Sequence, residues 1–341
     1  MALKVGFVGT GGIAKRHLGN TAKRDDIAMV GYADVALEKA QSAADQYGGN
    51  AYADFRELYD REQPDVVVIS TPPFAHGEIE EEAAARGIHF FVEKPVAVNM
   101  ELAKRVVTAV ENADIATQVG YMYRFSEALL RVRELLEGRA VAMVQAHYYM
   151  PGLPPPAWWP YMAKGGGQLV EQATHMLDLG RFLAGEVATV AGQITTVRNW
   201  TDVPADYQPE QMREFSEEFD IPDVTALILQ YESGALGTLS CSIVPQGAWD
   251  SGFKLVADGL LVTIDGPDAR WGGEEEGDLK ASENWGEYVL YDLYDSVIAG
   301  STQTAVPYIE GVRSLAISLA GYESVRRGGT AVEIRDVLGQ V

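Results

Sequence analysis

Five short runs between Lys4 and Val119 are apolar almost from end to end: Lys4–Val8, Ala28–Ala33, Val66–Ser70, His89–Val92 and Ile115–Val119. Rich in Val, Ile and Phe and bounded by Gly, Pro or Asp, they have the composition of strands buried on both faces. Stretches with helical spacing lie between them, at Ile13–Lys23, Leu37–Tyr47, Phe55–Arg61, His76–Arg86 and Met100–Asn112. Such alternation restricts the chain to right-handed crossovers and a doubly wound parallel sheet.

Beyond residue 121 the rhythm changes. Ala142–Met150 and Val187–Arg198 read as longer strands. Thr225–Tyr231 and Leu236–Ile243 flank Ser233-Gly234, while Phe253–Ala257 and Leu260–Ile264 flank Asp258-Gly259. Both pairs predict antiparallel hairpins. The clearest helices here are Leu169–Leu183 and Val312–Arg326, and Asn199–Asp223 and Pro267–Glu287 read as polar surface loops. A chain of 341 residues has the length of about two domains. The expected fold is α/β: residues 1–121 form the doubly wound domain, and 122–341 form an α+β domain on an open, mostly antiparallel sheet. The last helix is free to pack back on the first domain.

The charge sum bounds the partners. With 27 Lys and Arg against 49 Asp and Glu, the net charge of −22 repels phosphate backbones and anionic membranes, so nucleic-acid and membrane partners are not expected. This acidity suits either an ordinary acidic enzyme or adaptation to high salt, where counterions screen self-repulsion. No apolar run nears the roughly 18–20 residues of a membrane span. The N-terminus runs straight into the first strand without the pattern of a signal peptide. Cys241 is the only cysteine, which excludes internal disulfides and fits the cytoplasm.

Three motifs carry chemistry. Gly9-Thr10-Gly11-Gly12-Ile13-Ala14 follows a predicted strand and opens a predicted helix, and Asp34 ends the next strand. That context is the dinucleotide fingerprint: glycines admit a pyrophosphate to the helix N-terminus, and the acid accepts from ribose hydroxyls. Asp34 would repel a 2′-phosphate and no Arg or Lys follows in Val35-Ala36-Leu37, so NAD is expected in preference to NADP. The second motif, Glu93-Lys94-Pro95, lies at the carboxyl end of a predicted strand, where open α/β sheets present their ligand crevice. A lysine there can hold or protonate a substrate oxygen, although the tripeptide by itself favours a solvated lysine at a strand end. The third, Gly165-Gly166-Gly167, begins a helix that sets Glu171 and His175 four residues apart on one face. They could share a proton or be an ordinary helix acid beside a half-buried histidine. No third ligand of matching spacing supports zinc. His17, His89 and His147 read as surface or satisfied core residues, and Asp178 as a group that could orient His175.

Taken together, the glycine turn, Glu-Lys-Pro and the glycine-led helix with its histidine resemble the glucose–fructose oxidoreductase/inositol dehydrogenase/rhizopine-catabolism (Gfo/Idh/MocA) family over essentially the whole chain. The resemblance implies a Rossmann domain, a second open-sheet domain for substrate binding and oligomerisation, and NAD(P)-dependent oxidation of sugars or cyclitols. It makes Lys94 and His175 the catalytic pair, with Glu171 where an aspartate is common, one methylene longer. It adds Ser70, Thr71, Pro72, His76 and Glu93 to Gly9, Gly11, Gly12, Ile13, Asp34 and Lys94 around the cofactor. Tyr121, Tyr123, Arg124, Trp158 and Trp159 join Glu171 and His175 around the substrate. It implies a homodimer or homotetramer through the second sheet. Within the same resemblance lies redox-assisted glycoside hydrolysis, and a non-catalytic dinucleotide sensor is a more distant option.

Overall fold

The computed structural model describes residues 2–154, 158–198, 219–245 and 247–339. They form two compact units: Met1–Ala97, Glu101–Met122 and Gly286–Val312 in the first, and Val98–Met100, Tyr123–Trp285 and Arg313–Val341 in the second.

In the first unit the apolar runs become strands of one six-stranded parallel sheet: β1 (Leu3–Val8), β2 (Ile27–Ala33), β3 (Asn50–Tyr52), β4 (Val66–Ile69), β5 (His89–Val92) and β6 (Thr117–Val119). Their order is β3-β2-β1-β4-β5-β6, the doubly wound order of a Rossmann sheet, with the switch point between β1 and β4. Val66 to Ile69 have no exposed surface, which explains why β4 carries no polar alternation. The helices α1 (Ala14–Thr21), α2 (Leu37–Tyr47), α3 (Phe55–Glu62), α4 (Glu78–Ala85) and α5 (Met100–Ala113) fill the connections. Asp54 caps α3 by accepting from the Arg56 N–H at 2.8 Å. Sequence reading passed over β3, whose three residues are too short to show a pattern. It also passed over the helix Tyr288–Ile298, where the Tyr294 hydroxyl meets that of Thr21 on α1 at 2.8 Å.

The second unit is built on nine strands: β7 (Val141–Tyr149), β8 (Val187–Thr195), β9 (Val224–Tyr231), β10 (Leu236–Ser242), β11 (Asp250–Ala257), β12 (Leu260–Asp265), β13 (Asp268–Gly273), β14 (Gly277–Leu279) and β15 (Val332–Glu333). Their order is β14-β13-β12-β11-β7-β10-β9-β8-β15. Both expected hairpins form, β9/β10 around Ser233-Gly234 and β11/β12 around Asp258-Gly259; among the described residues of this sheet only the pairing of β7 with β10 is parallel. Burial alternates along β9, with Leu227, Leu229 and Tyr231 inward and Ile228 63% exposed. The inward face joins the core with Leu129 and Val132 of α6 (Glu127–Leu135) and with Met176, Leu177 and Leu183.

Two expectations are corrected here. Pro267–Glu287 is not a plain loop: Asp268–Gly273 and Gly277–Leu279 are the last two strands at one end of the sheet, and only Ala269 of β13 is buried, so no apolar alternation advertises them. The helix expected over Leu169–Leu183 is broken. After the turn α7 (Met162–Gly165), a short α8 (Gly167–Glu171) ends at Gln172 and α9 (Thr174–Ala184) begins after Ala173. The expected loop Asn199–Asp223 falls largely outside the described residues. Among the described residues no helix is long and apolar enough to cross a membrane.

Candidate active-site residues in each unit

In the first unit the carboxyl ends of β1, β2 and β4 carry the glycine turn, Asp34 and the Ser70–Pro72 segment. Gly9 has φ +82°, and a Cβ there would lie 2.7 Å from the Ser70 carbonyl oxygen, so this turn needs glycine to close against β4. Gly11 and Gly12 differ: nothing lies within 4 Å of an added Cβ on either. No side chain caps α1 after Ile13; the Lys15 and Arg16 N–H groups donate to the backbone carbonyls of Gly11, Gly12 and Ile13. The Asp34 carboxylate is already organised. Oδ2 accepts from the Thr10 N–H at 2.9 Å and its hydroxyl at 3.1 Å, and Oδ1 accepts from the Ala36 N–H at 3.0 Å. An open turn, an uncapped helix start and a fixed carboxylate at the end of β2 fit a dinucleotide.

His76 is buried and faces inward. Nδ1 lies 3.3 Å from the Val96 carbonyl and Nε2 3.1 Å from the Thr71 carbonyl, with Glu80 Oε1 3.4 Å from Nδ1. The ring thus lies between the segment after β4 and the segment after β5, and as a neutral imidazole donates to one of the two carbonyls. Glu80 is fully buried and accepts the Gly77 N–H at 2.6 Å; burial holds its carboxyl above the usual glutamate range, against the opposing pull of His76.

At the end of β5, Lys94 is half-buried and its peptide bond to Pro95 is cis. The Glu93 carboxylate is turned to His17 on α1, with Oε1 2.7 Å from Nε2, while Oε2 accepts the Lys94 N–H at 3.2 Å. Sequence reading had set His17 aside. The available signal was its place three residues after Ala14, one turn along the helix that the glycines open. Tyr121 is 1% exposed and belongs to the buried part of this unit.

In the second unit the glycine triplet answers a steric demand. Gly166 (φ +76°) would place a Cβ 2.7 Å from that of Val170, and Gly167 (φ +72°) one 2.5 Å from the Tyr322 hydroxyl. Because the helix breaks after α8, Glu171 and His175 stand on successive helices rather than on one face. Glu171 is buried and its Oε2 accepts the indole N–H of Trp159 at 2.8 Å. Trp159, expected at the substrate, is 1% exposed and donates to the acid; Trp158 packs against the core. His175 meets the Tyr123 ring edge-on at 5.7 Å, and Tyr123 stacks on Trp285 at 5.5 Å and 15°. The Tyr148 hydroxyl donates to Gln172 at 3.1 Å, and burial, reinforced by Tyr123 and Glu171, pushes its phenol well above the usual range. Sequence reading missed Tyr148, Gln172 and Trp285 because three separate segments supply them.

Arg124 and Asp178 pair with each other. The guanidinium donates to both carboxylate oxygens at 2.9 and 2.7 Å, and Ser314 adds a hydrogen bond of 3.0 Å. Asp178 is thus committed to the arginine, and Arg124 anchors the segment that carries Tyr123.

Comparison with known proteins places the two domains in one family. The model of the Gfo/Idh/MocA oxidoreductase family, NAD-binding Rossmann fold, matches residues 3–121, and that of the Gfo/Idh/MocA C-terminal domain matches 129–259. An uncharacterised protein of Schizosaccharomyces pombe is 27% identical over 234 residues, 64% of this chain and 57% of that one. The chain therefore spans less than two thirds of that relative's length. The myo-inositol 2-dehydrogenase of Thermotoga maritima is 24% identical over 241 residues, 70% of this chain and 68% of that enzyme. A levoglucosan dehydrogenase solved with NADH and levoglucosan has the same fold, with a TM-score of 0.83 at 21% identity over 98% of this chain and all of that one. With a matching model for each of its two domains, the chain belongs to the Gfo/Idh/MocA family of NAD-binding oxidoreductases.

Proposed function

We propose that this protein is an NAD-dependent dehydrogenase acting on an alcohol of a sugar, sugar derivative or cyclitol. The observation that carries the reading is Lys94 at the carboxyl end of β5, in the same sheet whose β1–α1 turn is open for a dinucleotide. Asp34 supports NAD over NADP, since a 2′-phosphate would meet a carboxylate held in place by Thr10 and Ala36. Val35, just after it, is 97% exposed and Leu37 47%, apolar side chains that an adenine ring would cover. Bound NAD supplies the hydride acceptor. In this reading His175 takes the hydroxyl proton, and Lys94 holds the same oxygen and passes the proton on. Glu171, fixed by Trp159, supplies negative charge beside the segment that bears the imidazolium. The aromatic pair Tyr123–Trp285 offers a face to ring C–H groups.

The relatives named for inositol and levoglucosan oxidation support this substrate class. The reading includes a homo-oligomer formed through the outer face of the second sheet, where Ile228, Leu236 and Leu261 are exposed, and a cytoplasmic location in keeping with free Cys241.

The test is a screen of inositols, monosaccharides, uronates and glycosides with NAD and NADP, following both NADH and released aglycone. Lys94→Ala is expected to lower kcat by about 10²–10⁴-fold while NAD affinity stays near wild type. Unchanged turnover in that variant removes Lys94 from the mechanism, and aglycone release without net NADH would mark a redox-assisted glycosidase.

A further inference from the structure

The pair formed by His17 and Glu93 has no place in the proton path just described, yet it is nearly dry. The two side chains are 5% and 13% exposed, and the imidazole lies edge-on to Phe91 at 4.9 Å. A carboxylate can only accept, so the proton on His17 sits on Nε2 and is donated to Glu93 Oε1. The second oxygen, Oε2, receives the backbone N–H of Lys94. Room for it depends on Gly120, where a Cβ would lie 2.9 Å from Oε2. Desolvating a carboxylate is costly, and a well-packed apolar side chain beside Phe91 would serve stability at least as well. What the carboxylate alone provides is a two-ended link, from the first turns of α1 to the main chain of Lys94.

We propose that His17 is a positioning residue: through Glu93 it fixes where the end of β5 presents Lys94, and so joins the helix behind the glycine turn to the lysine. This rests on the role given to Lys94 above, and the two can fail separately.

The experiment labels lysines by reductive ¹³C-methylation and reads the Lys94 resonance, assigned by its loss in Lys94→Arg, with and without NADH. His17→Gln places an amide Nε2 where the imidazole Nε2 stood, so the Lys94 signal and kcat should remain close to wild type. His17→Ala removes the donor and should displace the signal and lower kcat by about 10²-fold at unchanged NADH affinity. Should that variant fail to fold, Glu93→Leu supplies the same reading without a buried unpaired charge. It removes both acceptor oxygens at similar volume, so neither the His17 nor the Lys94 N–H keeps its partner, and the same displacement is expected. An unmoved Lys94 signal in His17→Ala or Glu93→Leu overturns the proposal, as does a His17→Gln protein as impaired as His17→Ala. A displaced signal combined with full turnover in Lys94→Ala upholds the positioning and discards the catalytic role of the lysine.

Discussion

At Trp159 a buried indole N–H meets a buried carboxylate, and the pair decides what Glu171 can do. Trp159→Phe keeps the ring and deletes the donor, leaving a desolvated acid short of a partner. The expected loss is about 1–3 kcal/mol of stability, read from urea midpoints, with a fall in turnover as Glu171 relaxes. The sequence displayed Trp158 and Trp159 as aromatic neighbours of the glycine triplet, but not which of them turns inward, because that depends on the α7 turn between. Glu80 yields a prediction with a definite sign. Burial raises its carboxyl above the ordinary glutamate value of 4.5, so the folded state favours the proton. The stability this gives is complete below the unfolded value and lost as pH rises through the folded one. Glu80→Gln has no such loss; its stability relative to wild type should therefore climb as pH rises above the ordinary value of 4.5, measured by urea unfolding.

Elements differ in how openly the sequence declares them. The strands β1, β2, β4 and β5 and both hairpins were legible, since burial on two faces or on one imposes unbroken or alternating apolar runs. The break between α8 and α9 was not, because Gln172 and Ala173 are acceptable helix residues and local preference says nothing against continuity. At the break the Leu169 carbonyl accepts from the Ser318 hydroxyl at 2.9 Å, and the Ala173 N–H donates to Gln168 at 2.9 Å instead of continuing the helical ladder. Gly166→Ala, with a left-handed φ and Val170 in the way, should cost about 1–3 kcal/mol and lower Tm. Gly19→Ala in α1, where φ is ordinary and nothing lies within 4 Å, should instead raise stability by about 0.4–1 kcal/mol. Calorimetry on the two variants separates steric demand from mere glycine content. Among the candidate residues, the places of Asp34, Lys94 and the glycine turn at strand ends were readable. The His17–Glu93 link and the Arg124–Asp178 fork were not, since each joins segments far apart in sequence.

At the scale of the whole molecule, the proposed assembly rests on the outer face of the second sheet. Ile228, 63% exposed on β9, stands on that face. Ile228→Asp should convert the oligomer to monomer in sedimentation at micromolar concentration without lowering the monomer's NAD affinity; a wild-type protein already monomeric there would refute the assembly. A final consequence follows from β7. It lies in the middle of its sheet, yet both its neighbours, β10 and β11, are synthesised only after residue 236. On the ribosome this strand must wait, with both hydrogen-bonding edges bare, while the long intervening stretch emerges. The second unit therefore closes late and slowly, and nascent chains arrested before β10 will be the aggregation-prone species that a chaperone must hold.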